Sequence, residues 1–505
     1  MKKLSLFMLT AVLALTAGVA RAQDSALLDL LVKKKVITDQ EAEETRAALS
    51  QEYSATSAGK FNISSSVSSI NIYGDARMRN DYRSAQQVGT ADNSTRERIR
   101  TRLRIGADIK VMDDWMLGVR LETGNSARST NVTFSDNPQA PFGKAGTSTA
   151  TVVNGVTTTT TKTGTTVNSV TTKTTTTSAV NKVNNGYSLF IGQLYLKYSP
   201  YSWLTLQGGK MPNPLVTTDM VWDKDISPEG FSEQFKYTIG PFGGAGDVTT
   251  TDGKTGKPVI TSGEPGNVTV DLFANFGQFV YNTADPQSSF GSTADKQTAW
   301  LLAYQVGAKV NFSKTTYFQI APTFYEYIDG KNNDFTTTYS GDPGKNQTGV
   351  NDLAIFDCPW LFGWTAFDLP MSIFGDFAYD INADQRASKA GHPGQTQGLA
   401  YQVGLNVGDL KKKGHWQMQG YWQRSEAYAL DPNLIDDDTN DARLNMQGVV
   451  FKAGYALTEN FSLSLQYNYG KIINKSLGTG GSGGAFGTTQ LDNTQLLFLN
   501  ANLTF

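Results

Sequence analysis

From Ile70 to the terminal Phe505, apolar and polar residues alternate with a period of two, the pattern of strands whose two faces meet different surroundings. Ile72, Gly74, Ala76 and Met78 share one face, and Asp75, Arg77, Arg79, Asp81 and Arg83 share the other. Next, Ile99, Thr101, Leu103 and Ile105 oppose Arg98, Arg100, Arg102 and Arg104. After Met112-Asp113-Asp114, Trp115, Leu117, Val119 and Leu121 oppose Arg120 and Glu122. Farther on, Trp416, Met418 and Trp422 oppose Gln417, Gln419 and Gln423, and Phe461, Leu463, Leu465 and Tyr467 oppose Ser462, Ser464, Gln466 and Asn468. A soluble sandwich also alternates, so the pattern leaves two architectures open.

The connections separate them. Short turns (111–114, 199–202, 311–315, 368–370, 410–414, 458–460) alternate with long polar loops (84–95, 124–186, 212–230, 283–297, 329–350, 385–396, 429–441, 474–489). Tight turns at one end and long loops at the other are the asymmetry of an outer-membrane barrel. Aromatics gather near strand ends (Tyr198, Tyr201, Trp203, Trp360, Trp364, Trp416, Trp422), where an interfacial girdle would lie. The mean hydropathy of −0.33 would suit a soluble protein, but a barrel hides its apolar surface in alternate residues. No later stretch offers the roughly 20 apolar residues of a spanning helix. The expected fold is all-β: a transmembrane antiparallel β-barrel over 70–505, of about sixteen strands. By parity, 241–266 should be a short turn, yet it is long. It is either an insertion or an additional hairpin, so fourteen and eighteen strands also stay open.

The N-terminus reads as a secretory signal peptide, residues 1–22: Lys2 and Lys3, the apolar run Leu4 to Ala17, and Ala20-Arg21-Ala22 before Gln23. Residues 23–58 read as a periplasmic helical segment, with Leu27, Leu28, Leu30, Leu31 and Val32 apolar and Thr38 with Glu41 forming a capping box. A linker over 59–69 follows. Residues 147–180 are a Thr-rich tract too poor in apolar side chains to fold alone, read as a surface loop insertion. Cys358 is the single cysteine, so no intramolecular disulfide is possible.

An arginine facing lipid at the bilayer midplane costs about 2–4 kcal/mol, so on a barrel the polar faces must point inward. Arg77, Arg79, Arg83, Arg98, Arg100, Arg102, Arg104 and Arg120 then line one wall. They could be structural ion pairs with Asp75, Asp81 and Glu122, but these carboxylates are too few, which favours an electropositive pore wall. The loop 212–230 carries Asp219, Asp223, Lys224, Asp225 and Glu229. The only histidines, His392 and His415, stand near no nucleophile or metal-ligand spacing, so no enzyme, metal or cofactor is expected. A net charge of −2 gives no reason to expect a nucleic-acid partner.

Asn213-Pro214-Leu215, Asp219-Met220-Val221-Trp222-Asp223 and Ile226-Ser227-Pro228-Glu229-Gly230 resemble the putative porin family of Gram-negative bacteria. The closing alternation Leu497, Leu499, Ala501, Leu503, Phe505 resembles the C-terminal signature read by the barrel-assembly machinery. The family resemblance implies an outer-membrane porin, a homotrimer in lipid, through which ions and small polar solutes diffuse passively. It further implies that loop 212–230 folds inward as a constriction facing the arginines. The other reading is structural, with the barrel anchoring its helical segment to peptidoglycan or a partner.

Overall fold

The computed structural model describes residues 32–34, 38–45, 66–124, 132–133, 188–244, 248–251, 258–261, 265–282, 298–328, 353–479, 486 and 490–505. The signal-peptide region 1–22 and the Thr-rich tract 147–180 lie outside these residues. The chain divides into two units, Met1–Val67 and Ser68–Phe505. In the first, residues 39–45 are helical. The Thr38 N–H donates to Glu41 Oε2 at 2.8 Å and the Glu41 N–H to Thr38 Oγ1 at 3.2 Å, the reciprocal pair of a capping box.

The second unit is a closed antiparallel β-barrel of sixteen staves. Its strands begin with β1 (Val67–Gln87), β2 (Asn93–Val111), β3 (Trp115–Gly124), β4 (Val132–Thr133), β5 (Ser188–Tyr201), β6 (Leu204–Lys210) and β7 (Glu229–Gly244). Then come β8 (Val248–Thr251), β9 (Pro258–Thr261), β10 (Pro265–Asn282), β11 (Ala299–Asn311), β12 (Tyr317–Ile320), β13 (Thr323–Ile328), β14 (Ala354–Asp357) and β15 (Trp360–Ala366). The last six are β16 (Leu369–Asp380), β17 (Leu399–Gly408), β18 (Trp416–Ser425), β19 (Met446–Ala456), β20 (Phe461–Ile472) and β21 (Leu491–Thr504). β1 starts at Val67, inside the segment read as linker.

Each stave pairs with its sequence neighbour, and β1 closes the barrel on β21, from Asp75↔Thr504 to Gln87↔Leu491. Two staves carry a proline where the ladder pauses: Pro322 separates β12 from β13, and Pro359 separates β14 from β15. Proline has no N–H for the ladder, but the registers resume on the same partners beyond it. The long connection at 241–266 contains the β8–β9 hairpin, which forms a separate two-stranded sheet and adds no stave. That resolves the strand count at sixteen.

The period of two gives the faces expected from it. Ile72, Met78, Ile99, Ile105 and Leu121 are exposed on the outside, whereas Arg79, Asp81, Arg83, Arg100 and Arg102 are buried on the inside. Near the tight turns, Trp115 stacks on Tyr198, and Tyr201 stacks on Trp203.

The hydrophobic core lies within the barrel. Leu215, Met220, Val221 and Trp222, from the connection 211–228, pack on Phe279 of β10, Leu301 of β11, Tyr325 of β13 and Ile355 of β14. Leu430, Leu434, Ile435 and Leu444, from the connection 426–445, complete this cluster. The second connection corrects the sequence reading, which placed 429–441 as an outward polar loop. Its residues are largely buried because apolar side chains at intervals dock it on the core. A second departure is α1 (Ala383–Lys389), which occupies part of the expected loop 385–396. Ala383, Ala387 and Ala390 pack against Tyr428 and Leu477.

Candidate functional site

The connection 211–228 leaves the sheet between two glycines paired across the strands, Gly209 (φ +120°) and Gly230 (φ +148°). A side chain at Gly230 would meet the Gln278 carbonyl oxygen at 2.1 Å, so this exit requires glycine. Inside, Gln305 of β11 clamps the backbone: Val216 N–H donates to its Oε1 and its Nε2 donates to Val216 O, each at 2.9 Å. Thr218 donates to Asp376 of β16, and Trp222 Nε1 donates to Ile226 O at 3.0 Å. Asp225 is thereby carried to the far wall.

That wall is the arginine face of β1, β2 and β3. Arg104 Nη1 donates to Asp225 Oδ1 at 3.0 Å, and Arg102 lies 3.6 Å from the same oxygen. Both arginines also bond Asp75. Arg98 and Arg100 share Asp81 Oδ2 at 2.7 and 3.3 Å. Arg83, fully buried, bonds Asp81 at 2.9 Å, Asp441 at 2.7 Å and Asp437 at 3.2 Å. Arg79 bonds Asp438 at 2.7 Å, and its guanidinium lies 4.6 Å from the centre of the Phe498 ring. Arg120 bonds Glu122 at 2.9 Å, and Arg77 lies within electrostatic reach of Asp438 and Asp225.

Asp75, Asp81 and Glu122, the carboxylates expected to pair from the strands themselves, are too few for eight arginines. Asp437, Asp438 and Asp441 come from the connection 426–445, more than 350 residues away, and they supply the shortfall. The readable signal was the run Asp436-Asp437-Asp438 itself, an acidic excess matching the basic one. Glu229 is also corrected. It begins β7, pairs with Lys210 at 2.8 Å and is exposed, because the chain has already rejoined the sheet there. Lys224 stays with the inner loop, bonding Asp219 at 3.2 Å.

The two inner connections meet along a carboxyl-rich seam. The Asp223 N–H donates to Leu434 O at 2.6 Å, and the Asp436 N–H to Asp219 O at 3.3 Å. One carboxylate oxygen each of Asp223, Asp436 and Asp437 lies within 4.8 Å of the others, which among the described residues is the one group spaced to hold a metal ion. Arg83 already answers Asp437. Burial, then Asp436 and Asp225, pushes Asp223 up to about 10. Burial, then Asp438 and Asp219, raises Asp436 to about 8. Protons therefore relieve the repulsion at neutral pH. Burial also opposes ionisation of Asp225, but Arg102 and Arg104 hold it below the usual carboxylate range. Backbone strain accompanies the seam: Asn440, Asp441 and Ala442 are consecutive left-handed residues, at φ 51°, 58° and 55°. Asn and Asp tolerate this conformation better than other non-glycine residues, but three in succession, ending on Ala442, persist where surrounding contacts hold them. Here those contacts are Asp441 to Arg83 and the Asn440 N–H to Asn468 Oδ1 at 2.9 Å.

Across β21 from the arginines, the inward positions of β17, β18 and β20 carry amides: Gln402, Asn406, Gln417, Gln419, Gln423, Gln466 and Asn468. One cross-strand row runs Asn406, Gln419, Lys452, Gln466, Phe498, Asp81, joining the amide wall to the arginine wall. At the C-terminus, the Phe505 N–H donates to Gly74 O at 3.0 Å, and Leu503 and Phe505 are exposed on the outer face.

A barrel whose inner face is charged and whose outer face is apolar must sit in a membrane, and a family model described as "Putative porin" matches residues 45–141 and 152–355. The chain belongs to the putative porin family. It is an outer-membrane channel protein. No curated protein matches this porin chain. Among solved structures it is similar to the outer membrane channel DcaP of Acinetobacter baumannii, at 12% identity and TM-score 0.39, covering 88% of this chain and 99% of that one. It is also similar to OmpT, an outer membrane protein of Vibrio cholerae, at 9% identity and TM-score 0.37, covering 86% and 97%. A mutant of the Rhodopseudomonas blastica porin aligns at 10% identity and TM-score 0.35, covering 86% and 100%. The family match, and not these distant likenesses, assigns the chain.

Proposed function

We propose that this porin is a passive, water-filled channel for ions and small polar solutes, narrowed where the connection 211–228 faces the arginine wall. The observation that carries this reading is Asp225, held between Arg102 and Arg104 across the barrel interior. Cations fixed on one wall and carboxylates fixed on a loop set up a transverse field. Such a field favours polar solutes and disfavours apolar ones that must displace ordered water. The inner loops belong to the pore rather than to the cell surface because their apolar side chains are anchored in the core.

The protein is further proposed to assemble as a homotrimer in outer-membrane lipid, with the terminal Leu503 and Phe505 serving the assembly machinery. The test is planar-bilayer recording of purified protein. Discrete conductance steps in KCl are expected, with chemical crosslinking giving a trimer. An anchor that conducts nothing at any voltage would sink the channel reading.

A further inference from the structure

Beneath the inner loop lies a recess of about 290 Å³, roofed by residues 216–219, with no arginine among its described lining residues. Its floor is apolar: Leu361, Phe374 and Tyr421, with the Phe374 and Tyr421 rings edge to face at 5.9 Å. Gly404 keeps that floor flat, since a side chain there would meet the Phe374 ring at 2.6 Å. The Tyr421 hydroxyl is engaged with Thr439 Oγ1 at 3.2 Å, so Tyr421 offers the recess its ring rather than its oxygen. Amides line the rim beside one ion pair. Gln319, Gln402 and Gln419 line it, and among the described residues none of these three side chains has a hydrogen-bond partner in the protein.

Charge at the rim is internally answered. Asp219 lies 3.7 Å from Lys452 and 3.2 Å from Lys224, so the recess presents little net charge. An amide both donates and accepts, whereas a guanidinium only donates. Several free amides around an aromatic floor therefore complement a ligand with hydroxyl groups at its edge and C–H bonds on its face. A carboxylate or phosphate would instead be drawn to the arginine wall.

We propose that this recess is a binding subsite for a neutral, cyclic polyhydroxylated solute of monosaccharide size. The inference rests on the channel reading for how the solute arrives, but binding itself can be measured without conduction. Calorimetry on the detergent-purified full chain, with glucose as probe, should give a saturable isotherm. Q402A/Q419A should weaken it about tenfold, through the loss of two hydrogen bonds to the solute. In bilayers, glucose should reduce the wild-type current with the same half-saturation, while the glucose-free KCl conductance of the double variant stays at the wild-type level. If the double variant fails to fold, Q419N keeps the amide but withdraws it, and it should weaken glucose by a smaller factor.

Conductance absent with glucose binding intact would remove the channel reading and leave the subsite standing. A linear, non-saturating fall in current together with a flat calorimetric trace would overturn the subsite. So would succinate displacing glucose, since the site would then select charge.

Discussion

The arginine wall of β1 to β3 and the amide wall of β17 to β20 line the same barrel, yet they are built on opposite principles. On the arginine wall every guanidinium is met by a carboxylate or lies beside one, and three of those carboxylates arrive from a connection distant in sequence. On the amide wall Gln402 and Gln419 remain without protein partners among the described residues. A buried charge cannot stay unanswered, whereas an amide in a wet recess can be answered by water or solute. The charged wall is thus a structural lock, whereas Gln402 and Gln419 on the other wall are left for water or solute to answer.

The largest expected effect breaks the lock. Arg83→Met leaves Asp81, Asp437 and Asp441 facing one another without their common cation. Removing one partner of a buried ion pair costs about 3–5 kcal/mol. Urea unfolding of the detergent-purified barrel should show that loss, with Gln402→Ala on the other wall changing stability by less than about 1 kcal/mol. Equal effects on the two walls would erase the distinction.

Next in size is ion selectivity. Arg100→Ser with Arg102→Ser removes two cations and leaves Asp75, Asp81 and Asp225 in place, so permeation should move severalfold toward cations. The shift should shrink as salt rises, because the Debye length falls from about 10 Å at 0.1 M to about 3 Å at 1 M. Gln417→Ser with Gln419→Ser should leave the reversal potential unchanged. An unaltered reversal potential in the arginine variant, with normal assembly, would remove these arginines from the conduction path.

A third test uses pH on the seam between the inner connections. The folded-state values of Asp223 and Asp436 lie above the ordinary 3.8, so their protonated forms stabilise the seam fully below that value. That contribution falls as pH rises, with Asp436 ionising near 8 and Asp223 near 10. Open-channel noise should therefore grow between pH 7 and pH 10, and Asp223→Asn with Asp436→Asn should flatten the dependence. Gln419 carries no titratable group, so Gln419→Ala should keep the wild-type profile. Noise that grows instead as pH falls below 6 would contradict the sign.

The smallest effect is expected at Glu229. It pairs with Lys210 on an exposed part of the wall, and such pairs contribute about 0–1 kcal/mol. Glu229→Gln should leave selectivity and stability nearly at wild-type levels, whereas Asp225→Asn should shift permeation toward anions. A selectivity change at Glu229 as large as at Asp225 would return Glu229 to the constriction.

Period-two alternation, joined to the asymmetry of short turns and long loops, was enough to determine a barrel, its closing strand and the inward direction of Arg77 to Arg104, because a charged face can point only away from lipid. The capping box at Thr38 and Glu41 was equally legible, being a contact between residues three apart. The same local reasoning could not place 426–445 inside, nor see α1, nor count the carboxylates available to Arg79 and Arg83. It also left the β8–β9 hairpin undecided between insertion and stave. A strand's faces are set by its own sequence and the lipid around it. Which loop enters the interior depends on apolar and charged partners that only the closed barrel brings within reach, as Asp441 is brought to Arg83 at 2.7 Å across 358 residues of chain.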